Sequence, residues 1–257
     1  MTVTHSLEDC PVVELRRYTL HPGRLPELLA VFEHHLIEPQ EDSGMVVGGT
    51  FRDEDDPSSF TWLRGFADHE VRVRALESFY GGPVWARYSD EANATMVDSH
   101  DVLLLQPTRP PHPPPPAVPR QRADGRPGQE RVLLGTHGLG ADAQAVDDWF
   151  AATGCPALEA ALGVRVAAWR TDPTPNAFPR LPVRGERALA WLAVFPDALA
   201  RDGAAARLAA ADVRRELDRQ STWRRTFHLA PTVRSAHPAA VPPRADPAAS
   251  LTEPSAG

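Results

Sequence analysis

The chain has 257 residues, with 27 basic and 34 acidic side chains, a net charge of −7 and 42% hydrophobic residues. That is the balance of a folded protein long enough for two small domains or one large one, and its acidity speaks against the clustered basic surface a nucleic-acid binder needs. It contains no lysine, which excludes Schiff-base, pyridoxal-phosphate and Walker-loop chemistry, since each uses a lysine amine.

The opening MTVTHSLEDC shows no basic region followed by an apolar run, and no stretch approaches the ~20 apolar residues that span a bilayer. The expectation is a cytoplasmic protein with no membrane partner. Cys10 and Cys155 stand far apart, which suits a reducing compartment, with a disulfide as the minor alternative.

From Val12 the residues alternate as in a strand, with Glu14, Arg16 and Tyr18 on one side and Val13, Leu15 and Thr19 on the other. His21-Pro22-Gly23 ends the run, and Leu25, Leu28, Leu29, Phe32 and Leu36 then form a helical stripe. Met45–Phe51 and Phe60–Phe66 read as a hairpin around an acidic turn. Asp68 is the N-cap of a helix carrying Val71, Leu76, Phe79 and Tyr80. Gly81-Gly82-Pro83 breaks it, a short helix with Trp85 and Tyr88 follows, and Val102–Leu105 is a closing strand. The order is β-α-β-β-α-β.

The run Glu14-Leu15-Arg16-Arg17-Tyr18-Thr19-Leu20-His21-Pro22-Gly23, the helix after it, and Gly44-Met45-Val46-Val47-Gly48 resemble the opening of a NIPSNAP-family domain, over about residues 11–108. The resemblance implies the dimeric α+β barrel superfamily, whose units are ferredoxin-like. That superfamily holds cofactor-free monooxygenases, haem enzymes, cyclases, isomerases and plain binding proteins, so it implies a fold rather than a reaction.

Residues 109–129 form a Pro-dense linker, read as an extended spacer in preference to an SH3-type ligand. A second unit is expected over 130–235. Its strands are Val132–Leu134, Val164–Arg170, Arg187–Phe195 and Thr226–Val233, with helices over Ala141–Thr153 and Pro196–Gln220. Trp62-Leu63 has a counterpart in Trp191-Leu192, and Leu105-Gln106-Pro107-Thr108 in Leu229-Ala230-Pro231-Thr232. The fold class is therefore α+β, two tandem ferredoxin-like units closing into a pseudo-dimeric barrel. The tail, 236–257, is expected to be disordered. A homodimer is compatible with this reading.

In such a barrel, Val13 and Leu15 are expected to face the helices, leaving Glu14, Arg16 and Tyr18 to line a cavity with Trp62 and Arg64. Arg16 would hold an anionic oxygen, and Tyr18 or Glu14 would move a proton. The competing reading makes Glu14 and Arg16 a structural ion pair. Trp62, Arg64, Trp191 and His228 are the candidate substrate-binding residues. His21 reads as a turn residue, His34 and His35 as solvated, and His100 and His228 as core or acid/base groups. His137 has no evident partner. No spacing suggests a metal, and no cofactor is expected. The helices of the second unit lack the histidine that the resemblance associates with haem; a strand histidine is left open. Gly135–Gly140 has the wrong spacing for a dinucleotide turn, and no G-x-S-x-G occurs. The expected function is a small-molecule enzyme, a monooxygenase or cyclase/isomerase on an aromatic or polyketide-like substrate. The alternative is a non-catalytic binding or scaffold protein.

Overall fold

The computed structural model describes residues 7–108, 117–122 and 124–243. The first unit runs β1 (Val12–Leu20), α1 (Leu25–Val31), a π-helical turn (Phe32–Leu36), α2 (Ile37–Asp42), β2 (Val46–Asp53), β3 (Ser59–Phe66), α3 (His69–Tyr80), α4 (Pro83–Asn93) and β4 (Met96–Pro107). The second repeats it with β5 (Arg131–Leu139), α5 (Ala143–Trp149), a π-helical turn (Phe150–Gly154), α6 (Cys155–Leu162), β6 (Val166–Thr171), β7 (Ala188–Phe195), α7 (Ala198–Ala210), α8 (Asp212–Gln220) and β8 (Ser221–Pro231). The strands close into one antiparallel barrel in the order β1-β3-β2-β8-β5-β7-β6-β4, which is the fold class the sequence predicts. Among the described residues no helix is long and apolar enough to cross a membrane.

The two units repeat in detail. Arg16 lies opposite Trp62 as Gly135 lies opposite Trp191, and Leu15 opposite Leu103 as Leu134 opposite Phe227. The carboxylates of Asp68 and Asp197 accept from the backbone N–H three residues on, capping α3 and α7. Both first helices are interrupted by a π-turn, and in each a proline, Pro39 or Pro156, follows and withholds an N–H from the ladder. The sheets meet at short corners, Phe51–Asp53 on Leu229–Pro231 and Leu105–Pro107 on Trp169–Thr171. Thr50 Oγ1 and Thr232 Oγ1, 2.7 Å apart, fasten the first corner.

Several boundaries differ from expectation: β5 runs on through Gly135-Thr136-His137-Gly138 to Leu139 instead of ending at Leu134, β6 begins at Val166, and two strands start early. β4 starts at Met96 and β8 at Ser221, well before their apolar cores, because their outer halves carry exposed polar residues such as Asp98 and Arg224. The helical stretch before β8 is two helices, broken where Ala211 takes an extended conformation.

The main correction concerns the faces of β1. Val13 and Leu15 point into the barrel and pack with Leu63, Leu103, Leu134 and Trp169. The polar face carrying Glu14, Arg16 and Tyr18 turns outward and is covered by the helices, where Tyr18 and Trp62 join Leu28, Phe32 and Leu76. An eight-stranded barrel is just wide enough for its interior to fill with side chains, so the inner face takes the apolar residues. The charges are left under the helices. The expectation of a polar barrel cavity assigned the two faces the wrong way round.

The linker and tail also touch the barrel. Ala117 bridges to Pro238, Val118 N–H donates to His237 O (2.7 Å), and Arg165 N–H donates to Val241 O (2.8 Å). Arg120 reaches Val47 O (2.6 Å), Arg234 O (2.7 Å) and the Glu41 carboxylate (2.5 Å). Of the linker and tail named above, residues 109–116, 123 and 244–257 lie outside the described residues.

Candidate functional site

Glu14 on β1 is the hub of an ion cluster between sheet and helices. Its Oε2 accepts from Arg16 Nη1 (2.6 Å) and Arg64 Nε (2.8 Å), and its Oε1 from Arg72 Nε (2.7 Å). Arg16 comes from the same strand face two residues on, Arg64 from the position opposite Glu14 on β3, and Arg72 from α3 above. Exposure is 0% for Glu14 and Arg64, 1% for Arg72 and 2% for Arg16. Three guanidinium groups thus share one carboxylate, and no second acid pairs with any of them among the described residues.

An excess of positive charge this deep is costly unless something answers it. Part of the answer is polar and neutral. Arg16 Nε donates to Tyr18 Oη (3.0 Å), Arg64 Nη1 to Tyr80 Oη (3.3 Å) and Gln40 Oε1 (3.4 Å), and Arg72 Nη1 to Asn176 Oδ1 (3.0 Å). Part is aromatic: the Arg16 and Arg64 guanidinium carbons lie 5.7 and 5.3 Å from the Trp62 ring centre. The answer is incomplete. Arg64 Nη2 and Arg72 Nη2 sit 2.8 and 2.7 Å from the Glu14 carboxylate but off the hydrogen-bond axis, and each lacks an aligned acceptor, as does Trp62 Nε1.

Burial alone would raise the Glu14 pKa, but Arg64, Arg16 and Arg72 outweigh it and hold the carboxyl well below the usual carboxylate range. For Arg16 burial works against the charge, and Tyr18 and Glu14 more than restore it, so its pKa is raised. Burial raises the Tyr18 phenol, with Arg16 pulling the other way. The cluster therefore holds a fixed carboxylate at Glu14, a fixed guanidinium at Arg16 and a neutral Tyr18 phenol whose oxygen accepts from Arg16.

Of the residues singled out in the sequence, Glu14, Arg16, Tyr18, Trp62 and Arg64 come together here; Trp191 and His228 do not. Trp191 is the pseudo-symmetric partner of Trp62 and lies under the second unit's helices, where its Nε1 donates to His137 Nε2 (3.1 Å). His228 stands at the barrel rim with its Nδ1 2.7 Å from Asp55 Oδ2. By register, Glu14, Arg16, Tyr18 and Arg64 correspond to Leu133, Gly135, His137 and Ala193, so the second unit lacks these charges; Arg72 has a counterpart in Arg201, four residues after the Asp197 cap, which pairs instead with Glu54 and Asp202. His100 is exposed beside Asp98, and His35 stacks on Tyr88 with ring centres 4.2 Å apart.

The strand histidines do not fit a haem iron. His137 has both ring nitrogens engaged, Nε2 by Trp191 and Nδ1 by Ser221 Oγ (3.1 Å), so it has no nitrogen to offer an iron; His228 is held by Asp55 through Nδ1, and His100 on β4 is exposed beside Asp98. Among the described residues no group of three or more His, Cys, Asp and Glu is placed to hold a metal.

Sequence reasoning missed Arg72 and Asn176. Arg72 had a signal: residues 72, 75, 76 and 79 share one helix face, so an arginine sits on the buried stripe of α3. Asn176, in the proline-rich loop between β6 and β7, had none.

Residues 13–110 match the NIPSNAP family model. Solved structures of similar shape include a candidate monooxygenase of Fusobacterium nucleatum, with a TM-score of 0.56 and 7% identity over 91% of this chain and 99% of that one. Another candidate monooxygenase, of Lactobacillus acidophilus, gives 0.54 and 12% over 90% and 99%. A dye-decolorizing peroxidase of Bacteroides thetaiotaomicron gives 0.51 and 7% over 90% and 95%. At such identities the likeness is one of fold. No curated protein matches the chain. The chain carries a NIPSNAP domain, residues 13–110, as the first half of a fused, ferredoxin-like α+β barrel.

Proposed function

We propose that the protein is a small-molecule enzyme that works in the helix-covered cleft of its first unit, on an aromatic or polyketide-like substrate that binds through an anionic oxygen. The observation that carries this reading is the surplus of guanidinium charge over carboxylate at 0–2% exposure, with donors of Arg64, Arg72 and Trp62 left over. The anionic oxygen of an enolate, phenolate or carboxylate is the chemistry that would answer such a surplus. Binding a phenol or 1,3-dicarbonyl as its anion is also the activation that such a substrate needs before it reacts with dioxygen or closes a ring. Candidate monooxygenases occur among the barrels of similar shape.

Arg16 and Arg64 hold the oxygen, and Trp62 is the apolar wall. Tyr18 is the proton carrier. Glu14 is a poor base, since three guanidinium groups stabilise its charged form; it orients them instead. The second reading, a non-catalytic binding protein, is favoured by the sealing of the cluster from solvent.

Native mass spectrometry of the purified chain, followed by dioxygen-uptake and product assays with phenolic and 1,3-dicarbonyl compounds, tests the proposal. Turnover that Arg16→Ala and Tyr18→Phe abolish supports it. A tightly held, unchanged ligand and no turnover would establish the binding protein.

A further inference from the structure

The ion cluster of the first unit is covered on one side by a piece of the second. The segment 172–187, between β6 and β7, leaves its own unit and is added to the free edge of β4 at two points: Asp172 N–H donates to Leu104 O (2.9 Å) and Arg184 N–H to Val102 O (2.8 Å). Between those anchors it arches over the ion cluster. Phe178, 5% exposed, enters the first unit's core against Tyr80, with ring centres 6.4 Å apart, and His69 Nε2 lies 2.9 Å from Asp172 Oδ2. Asn176 ties the arch down. Its Oδ1 accepts from Arg72 Nη1 (3.0 Å) and from Phe178 N–H (3.1 Å), while its Nδ2 donates to Leu181 O (2.9 Å).

We infer that this strap gates the cleft and that Asn176 is its latch, the amide oxygen occupying the place on Arg72 that an oxygen of the anionic ligand takes on binding. The inference rests on the anion reading above. The cluster is bounded by β1 and β3, by α2, α3 and the turn that carries Met45, and by the strap, which is the side that comes from the other unit. Its tip is exposed at Pro173, Thr174, Pro175, Ala177, Pro179 and Arg180. Pro173, Pro175, Pro179 and Pro182 stiffen it, so it swings as one piece between its two backbone anchors. A neutral amide is a weaker acceptor for a guanidinium than an anionic oxygen, so a ligand that reaches Arg72 displaces it. Binding is then weakened by the fraction of molecules in which the strap is closed, a fraction that removing the latch lowers.

Limited trypsin digestion of the full chain, reading cleavage at Arg180–Leu181 by mass spectrometry, reports opening. Calorimetric titration with sodium salicylate and with inorganic phosphate reports binding. In the wild type, salicylate speeds cleavage at Arg180 saturably. Asn176→Ala cleaves faster without ligand and binds salicylate about tenfold tighter, the worth of one charged hydrogen bond. Asn176→Asp, which keeps an acceptor for Arg72 and so keeps the fold, slows cleavage and weakens salicylate at least tenfold. Equal affinity in all three proteins, lost only with Arg16→Ala, and cleavage at Arg180 unchanged by ligand would overturn the gate and leave the anion site standing. No binding of either anion by the wild type or by Asn176→Ala would overturn the anion site and the gate with it.

Discussion

Glu14→Gln and Arg16→Ala break the same 2.6 Å contact, yet the charge count makes their costs unequal. Removing the carboxylate leaves Arg16, Arg64 and Arg72 at 0–2% exposure without a counter-ion. Stranding even one buried charge typically costs ~3–5 kcal/mol, so at least that much is expected here. For a chain of this size the loss lowers Tm by roughly 6–20 °C. Removing Arg16 leaves Glu14 paired to Arg64 and Arg72 and takes away one of the surplus charges. What remains is a lost hydrogen bond and a partly collapsed cavity, ~1–2 kcal/mol. The double variant should be less destabilised than the sum by ~1 kcal/mol or more, because the second change removes a charge the first one stranded. Urea unfolding at pH 7 of the four proteins measures all three terms. If Arg16→Ala costs more than Glu14→Gln, the excess positive charge is not felt and the case for an anion site collapses.

The same cluster gives a pH dependence. The folded Glu14 carboxyl lies well below its ordinary range, so its contribution is complete above that range and is lost as pH falls through and below it. Acid should therefore narrow the gap in urea midpoint between wild type and Glu14→Gln. His137 behaves comparably from the other side: burial, with Arg214 next, lowers its pKa from the ordinary 6.5 to about 4. A neutral folded histidine contributes above pH ~6.5, and up to ~3 kcal/mol is lost as pH falls towards 4; wild type should lose that much more than His137→Gln between pH 7 and 4, and equal losses would refute it. At Gly135 a Cβ would stand 2.2 Å from the Trp191 ring, so Gly135→Val should cost at least ~2 kcal/mol by thermal unfolding. Proteolytic cleavage within 110–126 should leave the halves together on gel filtration, because the closed barrel and Phe178 join them; two separately eluting folded fragments would contradict that.

The repeat was legible in the sequence because strand register preserves it. Trp62 and Trp191, and Leu105–Thr108 and Leu229–Thr232, occupy matching positions, and the apolar periods around them mark the strands. The membership of the cluster was legible too, since period-2 alternation puts Glu14, Arg16 and Tyr18 on one face whichever way that face points. Its direction was not. Both faces of β1 are buried, so the usual rule of apolar inside and polar outside has no outside to refer to. The choice is made by seven other strands that must fill one narrow interior, and no single segment encodes it. Arg72 and Asn176 were hidden for a related reason: each reaches the site from an element whose local pattern serves another purpose.

The two helix-covered faces of the barrel are not alike. Where the first unit has Arg16, the second has Gly135, and the absent side chain lets the Trp191 ring lie against the strand. Where the first has Tyr18, the second has His137, whose two nitrogens are both satisfied by Trp191 and Ser221. The corresponding place in the second unit is ordinary core, where Leu133, Phe150, Leu158 and Trp191 pack together, and the one buried arginine of α7, Arg201, is matched by Glu54 and Asp202. Its β6–β7 loop crosses to the first unit and supplies Asn176 and Phe178 to the charged cluster, while the shorter β2–β3 turn crosses the other way with Glu54, which pairs with Arg201 and donates its N–H to His228 O (2.8 Å). A homodimer of identical units would repeat cleft and strap on both sides. Fusion lets one unit keep the charges while the other specialises in covering them. A single chain is the arrangement in which a surplus of buried arginine and the loop that seals it can diverge independently.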